Sequence, residues 1–599
     1  MSVSHPDSQL RHRILKQPKG ATEFWLQRSG NQVSMHTKAS RGSSGSSNWN
    51  RCHVDNCLGE AVVQSLKCLK HASQDERKSY IQIAIKKKTK VSLRGVEINQ
   101  LLMDEILRDL IIQEGDKKIV KVTLSLACAE VSAMVHFKNY IFEGGLEIYG
   151  GSFYQTLEFI ETTFHGGVYA AHIFFSKAAL AFTKCTFKAE TIFNYAVIPD
   201  STLGFTGCDF ERQFRAEGLE CGLHLREGCH LKSDLILREA NAKAIFLNDC
   251  TVMGELDVQD AHCNALHGNN LQAKGAHLIG PISAESSIRF TRARFSNRIH
   301  MEIESPIYDM SSSVLETGGS ILANGGKLEF KNLNVKSSLR VSGKPNNLKQ
   351  PLVMDLQGAD VGMMTFSHVD MSCCLFNGSH NLSEAVIEST VIFAQAPSWW
   401  RSKRRCIAEE YAWRNSSGRP FSLDWKLPGT RLATAPKTDP VPGQADPIVL
   451  PVISPSQIAG IYRGLRRSFE GKSDEPGAAD FYYGEMEMRR HDKERTLPER
   501  WIIFFYWTLS GYGLRASRAI IAYILLMLVG AYAMISFGFQ ESCKTFLDGL
   551  AYSVRSTIPG LQNNMDLTLY GKFIEPLIKI LGAFLFALTV LAIRARVKR

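Results

Sequence analysis

Residues 142–175 read FEGGLEIYGGSFYQTLEFIETTFHGGVYAAHIFF, with phenylalanine at 142, 153, 164 and 175 and leucine at 146 and 157. Further on the step shortens. Leu225, Leu235, Ile245, Leu256, Leu266 and Ala276 are separated by 10, 10, 11, 10 and 10 residues; Leu237, Leu247 and Val258 run alongside, and Ala240, Cys250, Ala261 and Leu271 form an offset series. No helical period generates this mixture of steps. Short β-rungs joined by tight turns do, because stacked coils need apolar or small inward residues at a fixed interval with polar residues between them. The glycine pairs 144–145, 166–167 and 325–326 are read as corners, where a positive φ costs glycine little. At about 20–22 residues per coil and about 4.8 Å between strands, residues 120–395 give on the order of a dozen coils and a rod roughly 60 Å long.

A chain of 599 residues exceeds one ordinary domain, and 44% hydrophobic with 22% charged residues excludes a wholly disordered or collagen-like protein. The 14 cysteines show no compact even-spaced framework and no secretory leader precedes them, so reduced thiols in a cytosolic setting are expected. Those inside the coils read as small apolar fillers. The net charge of +11 is uneven: residues 120–395 hold 22 basic against 29 acidic side chains, so the positive excess flanks them. Much of it lies beside apolar C-terminal segments, where anionic lipid attracts it; nucleic acid is an unlikely partner and mimicry of DNA by the coils is disfavoured.

Residues 519–537 (AIIAYILLMLVGAYAMISF) carry no charge over 19 residues, and residues 576–593 (PLIKILGAFLFALTVLAI) are similar. Each is long enough to cross roughly 30 Å of hydrocarbon. Pro576 is read as opening the second helix and Lys579 as snorkelling; the rival reading is a pair of buried core helices. Arg515 and Arg518 precede the first span, and Arg594, Arg596, Lys598 and Arg599 follow the second. The positive-inside bias then keeps the N-terminal bulk and the C-terminus cytoplasmic at the plasma (inner) membrane, with residues 538–573 on the far side. Residues 501–512 (WIIFFYWTLSGY) suit a helix in the membrane interface, or a helix buried under the preceding domain. Between the spans, residues 545–561 (TFLDGLAYSVRSTIPGL) make a short amphipathic segment. Crossing, short helix, turn, crossing is also the plan of a two-helix channel subunit. It lacks a TVGYG-like filter, and Arg555 would repel cations. Asp548, Arg555, Pro559 and Gly560 therefore belong either to the interfacial loop of a plain anchor or to a less selective or anion-preferring pore built by a homo-oligomer.

Residues 1–50 read as a disordered tail. In residues 51–75, Cys52, Cys57, Cys68 and His71 follow the order C-x4-C-x10-C-x2-H, which suits a structural, four-coordinate zinc; an unmetallated reduced cluster is the alternative, and His53 the rival ligand. Residues 76–119, including INQLLMDEILRDLIIQ (98–113), read as a helical cap closing the first coil. After the coils come a Pro-rich linker (396–455), juxtamembrane helices (456–514) and the transmembrane hairpin (515–599). Glu475, Asp480, Glu485 and Glu487 read as a solvated, arginine-paired helix face rather than an acid–base set.

CTF at 185–187, CDF at 208–210 and NNLQAKGAHL at 269–278 resemble pentapeptide-repeat proteins, with Cys185 and Cys208 at the small position two residues before the central one. The resemblance implies a right-handed parallel β-helix. Residues 51–72 resemble the zinc knuckles of many bacterial proteins. The run from SQIAGIYRGLRRSFEGK (456–472) through GAADFYYGEMEMRR to YWTLSGYGLR resembles, with the two spans after it, the last 140 or so residues of membrane-anchored bacterial pentapeptide-repeat proteins. The expected fold class is therefore a mainly β solenoid, pentapeptide-like, plus an α-helical C-terminal region with two transmembrane helices. No phosphate-binding loop, dinucleotide fingerprint, nucleophile elbow or CxxC pair is present, so no enzyme activity is expected. The expected role is a membrane-tethered scaffold presenting its β-helix to a cytoplasmic protein. The alternative is a membrane effector of stress or phage-defence type, whose oligomerised hairpins form a pore controlled by the β-helix.

Overall fold

In the computed structural model one coil consists of four short strands, Tyr140–Phe142, Leu146–Glu147, Ser152–Phe153 and Leu157–Ile160. Each pairs in parallel with its counterpart in the next coil, Thr163–Phe164, Val168–Tyr169, Phe174–Phe175 and Leu180–Thr183. The 11-residue step is thus half a coil: Phe142 and Phe164 stack on one side, Phe153 and Phe175 on another. Repetition gives a parallel β-solenoid of about 12 turns. The structure describes Trp25–Ser29, Gln32–His36 and residues 49–597, apart from 177, 346–348, 398–403, 417–424, 426, 428–429, 433–447, 541–544 and 558–564. Most of the N-terminal tail and of the proline-rich stretch therefore lies outside the described residues; within the tail, Trp25–Ser29 pairs antiparallel with Gln32–His36.

The coil length varies. Along one side the inward partners are Phe142, Phe164, Phe187, Phe210, Leu231, Val252, Ala273, Phe295, Leu315 and Val335, separated by between 20 and 23 residues. The first four rings stack face to face, with centroids 5.1, 5.0 and 4.6 Å apart. A second ladder, Phe137–Phe159–Phe182–Phe205, repeats at 4.9, 4.8 and 4.9 Å. The apolar series read at 10–11 residues holds for Leu235 over Leu256, but the next inward residue is His277, not Ala276. His277 is buried, and burial lowers its imidazole to about 4, so it stands neutral against the Phe295 ring.

Gly145, Gly325 and Gly326 turn the chain at positive φ (94°, 79° and 82°) as expected, whereas Gly144, Gly166 and Gly167 do not. Positive φ falls mostly on non-glycine residues such as Asn139, Glu161, Lys184, Asp249, Asp260 and Asn270. Gly144 and Gly166 serve closeness instead: a methyl group on Gly144 would lie 2.2 Å from the Thr123 amide nitrogen, and one on Gly166 2.5 Å from the Gly144 carbonyl carbon.

Both ends of the rod are closed. Helix α1 (Gln74–Lys87) begins in a Ser73–Glu76 capping box, and α2 (Gln100–Leu110), capped by Asn99, buries Leu102, Met103, Ile106 and Leu110. Parallel pairing already starts at Val91–Ser92 and Glu97–Ile98, inside the stretch read as a cap, because α2 is inserted into an early coil. At the other end lie α3 (Ala408–Ser416), within the expected linker, α4 (Pro455–Glu470) and α5 (Glu475–His491). Phe393 packs against Phe469 of α4 and Phe481 of α5, and Ser468 donates to the Ala385 carbonyl at 2.6 Å. The chain continues as α6 (Leu497–Ser510), α7 (Ala516–Ala533, extended by a π-helical turn at Met534–Gly538), α8 (Phe546–Thr557) and α9 (Leu569–Val597).

Phe182 stacks on Phe159 and Phe205 and meets Phe164, Phe187 and Phe193 edge-on, so Phe182→Ala is expected to cost about 3–5 kcal/mol. Denaturant unfolding checks this; Leu101→Ala, on the exposed side of α2, should leave the midpoint unmoved.

Candidate functional site

Three features stand out: a thiol–imidazole cluster at the start of the rod, a buried ion network at its end, and the hairpin of α7, α8 and α9. In the first, Cys52, Cys57, Cys68 and His71 bring their donor atoms within 4.8 Å of one another. Cys52 Sγ and Cys68 Sγ each lie 3.5 Å from His71 Nδ1, and Cys57 Sγ lies 3.7 Å from Cys68 Sγ. Local backbone brings them together: the Cys52 amide donates to Gly59 O at 2.8 Å, and a methyl group on Gly59 would strike Cys68 Cβ at 2.8 Å. Burial opposes ionisation of both Cys52 and Cys68. It raises Cys68 to about 12, whereas hydrogen bonds from the Cys68 and Val54 backbone and from His71 bring Cys52 to about 6. The sequence-predicted set is thus assembled as a group that could hold a metal ion, while His53 is exposed and outside it. The module seals the first coil through Glu60, whose amide donates to Arg94 O at 2.8 Å and whose carboxylate accepts from Ser92 Oγ; Arg94 covers the Trp49 ring at 4.1 Å.

The second feature corrects the reading of the acidic residues. Glu475 is exposed, but Glu485 and Glu487 are buried rather than solvated. Arg404, itself buried, donates to both oxygens of Glu410 of α3 at 2.6 and 2.7 Å; Arg414 donates to Glu410 at 2.6 Å and to Glu487 of α5 at 3.3 Å. Arg490 then donates to Glu487 at 2.9 Å and to the Tyr512 hydroxyl at 3.2 Å. Glu485 receives Arg463 at 3.0 Å and Arg489 at 2.5 Å. Burial works against the charge of Glu410, yet Arg404 and Arg414 hold its carboxyl down at about 2. Tyr512 sits between Gly511 and Gly513, all three at positive φ (54°, 59° and 75°), in the turn from α6 to α7. The network therefore runs from Arg404 and α3, just after the last coils, to the turn that leads into α7. Sequence reading missed Arg404, Glu410 and Tyr462, whose hydroxyl donates to Glu410 and accepts from the Ile407 amide at 3.2 Å; residues 402–405 (SKRR) fall in the stretch read as linker, and nothing in that run announces burial.

The hairpin holds two helices long and apolar enough to cross a membrane, Ala516–Gly538 and Leu569–Leu591, at mean hydropathies of 2.3 and 2.0. Only 17% of either window is buried, unlike a core helix of a soluble domain. Trp501, Ile502 and Phe505 of α6 are exposed beside them. Pro576 does not open the second helix; it lies inside α9, which starts seven residues earlier, and Lys579 pairs with Glu575 at 2.7 Å one turn back. Arg518 donates to the Trp507 carbonyl at 3.2 Å, and the Arg515 guanidinium lies 5.7 Å from the Tyr483 ring centre. Arg594 and Arg596 fall on α9 with their side chains outside the described residues, as are Lys598 and Arg599 altogether.

Helix α8 runs down between α7 and α9. A methyl group on Gly549 would lie 2.8 Å from Ala531 O, and one on Gly530 3.1 Å from Ser553 Oγ and 3.0 Å from Ile578. At the lower end Tyr523 donates to Thr557 Oγ1 at 2.9 Å, and a methyl group on Gly582 would strike Thr557 Cγ2 at 2.3 Å. Residues 549 to 557 thus descend as α7 is followed back from 531 to 523, so α8 ends near the middle of both long helices. Ser553, Ser556 and Thr557 are buried in the seam. Asp548 accepts from the Thr545 amide and hydroxyl at 2.9 and 2.7 Å, which commits it to the first turn of α8. Arg555 is exposed on the opposite side; Pro559 and Gly560 lie outside the described residues.

No family model matches this chain, and no curated protein or solved structure matches it either.

Glu410→Ala leaves Arg404 and Arg414 without their shared counter-ion, and a loss of about 3–5 kcal/mol is expected on unfolding. Because the folded carboxyl titrates at about 2 against an ordinary 4.5, its contribution is present above pH 4.5 and disappears as pH falls toward 2. Unfolding midpoints measured across that window should fall for the native chain and stay flatter for Glu410→Gln.

Proposed function

We propose that this chain is a membrane protein whose hairpins assemble with those of further copies into a pore, with the solenoid as a cytoplasmic rod that receives a protein partner. The observation that carries this reading is the position of α8, held by Gly530, Gly549 and Gly582 so that it ends near mid-span between the two long helices. A plain anchor has no use for such a helix. The last carbonyls of a helix that ends at membrane depth need protein cover or a water-filled cavity. A lone hairpin supplies too little cover, so neighbouring copies complete it. The basic residues around both spans favour cytoplasmic ends at an inner membrane. The four-sided coils, with cysteine two residues before the inward aromatic, support the likeness to membrane-anchored bacterial pentapeptide-repeat proteins. A scaffold role for the rod is compatible with the pore: both ends of the solenoid are capped, leaving its long walls as the surfaces a partner meets.

At the capping module we propose structural zinc. Tetrahedral zinc, with Zn–S of about 2.3 Å and Zn–N of about 2.0–2.1 Å, places its ligand atoms about 3.5–3.8 Å apart. The observed 3.5 and 3.7 Å separations fit that figure. Cys52, Cys57, Cys68 and His71 fill all four positions, which makes the ion a clamp on the first coil with no open site for substrate.

Purified full-length protein in liposomes should release a trapped ionic dye or carry single-channel current; electrically silent bilayers containing correctly oligomerised protein would remove the pore and leave the tethered scaffold. Metal analysis should return one zinc per chain for the native protein and none for Cys68→Ser, with a lower melting temperature in the variant.

A further inference from the structure

Along α8 the residues turned away from α7 and α9 fall at 547, 551 and 555, one stripe at intervals of four: Leu547, Ala551 and Arg555, all exposed. The stripe begins apolar near the entrance of the hairpin and ends on a guanidinium. Arg555 stands two residues before Thr557, whose hydroxyl meets Tyr523, so it lies level with about residue 525 of the span Ala516–Gly538. The centre of that span is residue 527. Among the described residues Arg555 has no carboxylate within ion-pairing distance, in contrast to Lys579, which Glu575 neutralises.

An arginine at this depth cannot shed its charge, and placing it against lipid at the bilayer centre is costly. Charged side chains at mid-span face the interior of a bundle or water. The α7 and α9 sides of α8 are occupied, so the interior that Arg555 faces lies between copies of the chain. We propose that Arg555 lines the water-filled pathway shared by those copies and makes it select anions. Rotation about a common axis repeats Arg555 once per copy and closes a ring of positive charge with no acidic residue on the same stripe. Such a ring raises the local concentration of small anions and repels cations. Asp548 is not in the ring: it lies seven residues, about 10 Å, nearer the entrance than Arg555, where the Thr545 amide and hydroxyl hold its carboxylate.

This inference rests on the pore reading, and the test separates the two. Full-length protein is reconstituted in planar bilayers under a potassium chloride gradient and the reversal potential is recorded. Chloride selectivity is expected for the native chain, retained by Arg555→Lys, reduced several-fold by Arg555→Gln and reversed in sign by Arg555→Glu. A cation-selective native pore, or an Arg555→Glu pore with an unchanged reversal potential, overturns the assignment of Arg555 while leaving the pore standing. Absence of current from every protein, native included, overturns the pore itself and the inference with it. Should Arg555→Glu fail to assemble, the Arg555→Gln and Arg555→Lys pair decides, since a structural role predicts equal selectivity in both and a charge ring does not.

Discussion

An inward side chain in a parallel solenoid has one place to go, directly above its counterpart one coil earlier, and most of this structure follows from that constraint. Like sits on like, because identical rings stack without a change of width. Phe142, Phe164, Phe187 and Phe210 obey it. Two residues before the inward position, Tyr140 and Thr162 are followed by Cys185, Cys208, Cys229 and Cys250, which precede Phe187, Phe210, Leu231 and Val252. A thiol is small enough to share a side with a ring or with a branched aliphatic chain. Cys208 and Cys229 lie within 3.4 and 3.5 Å of the carbonyl oxygens of Phe182 and Phe205, so these thiols are spent on packing. Coils of unequal length are reconciled at the corners and by slips in the longer strands, such as that between Val197 and Thr202.

That constraint also explains what was legible beforehand. Residues that must recur at a fixed interval leave a periodic trace, so the solenoid, its approximate length and the inward series at 142–175 could be read directly. The cluster of Cys52, Cys57, Cys68 and His71, which could hold a metal ion, was legible from its spacing: three thiols and an imidazole fall within 20 residues. Left-handed corners on Asn, Asp, Glu and Lys were not legible, since these residues also populate ordinary loops. Nor was the burial of Glu485 and Glu487. Their spacing on α5 is that of any surface helix, and only the docking of α3 and α4 turns it inward. Pro576 misled because proline usually opens helices, whereas a helix packed among others absorbs one in its interior.

The buried charges between rod and hairpin serve specificity more than stability. An apolar interface of the same shape would hold as firmly, since removing ions from water costs about what their attraction returns. What the ions supply is direction. Glu410 is satisfied only if Arg404, Arg414 and the Tyr462 hydroxyl arrive together, and Glu487 only if Arg414 and Arg490 do. Arg414 belongs to both sets, so the orientation of α3 on the rod fixes that of α5, and Arg490 passes it to Tyr512 at the head of α7. A rod joined by grease could swivel; a rod joined by shared counter-ions keeps one angle to the hairpin.

The hairpin itself shows the opposite economy. Its seam is built from absent side chains, with Gly530, Gly549 and Gly582 each standing where a methyl group would collide with the neighbouring helix. Small residues let helices approach within lipid, where no hydrophobic drive presses them together. Here the approach admits a third helix between the two long ones, with Ser553, Ser556 and Thr557 buried in the seam. Tyr523 donates to the Thr557 hydroxyl there at 2.9 Å. Among the described residues Arg555, on the outward stripe of α8, has no acidic partner. On the pore reading proposed above, further copies of the chain would cover that side of α8.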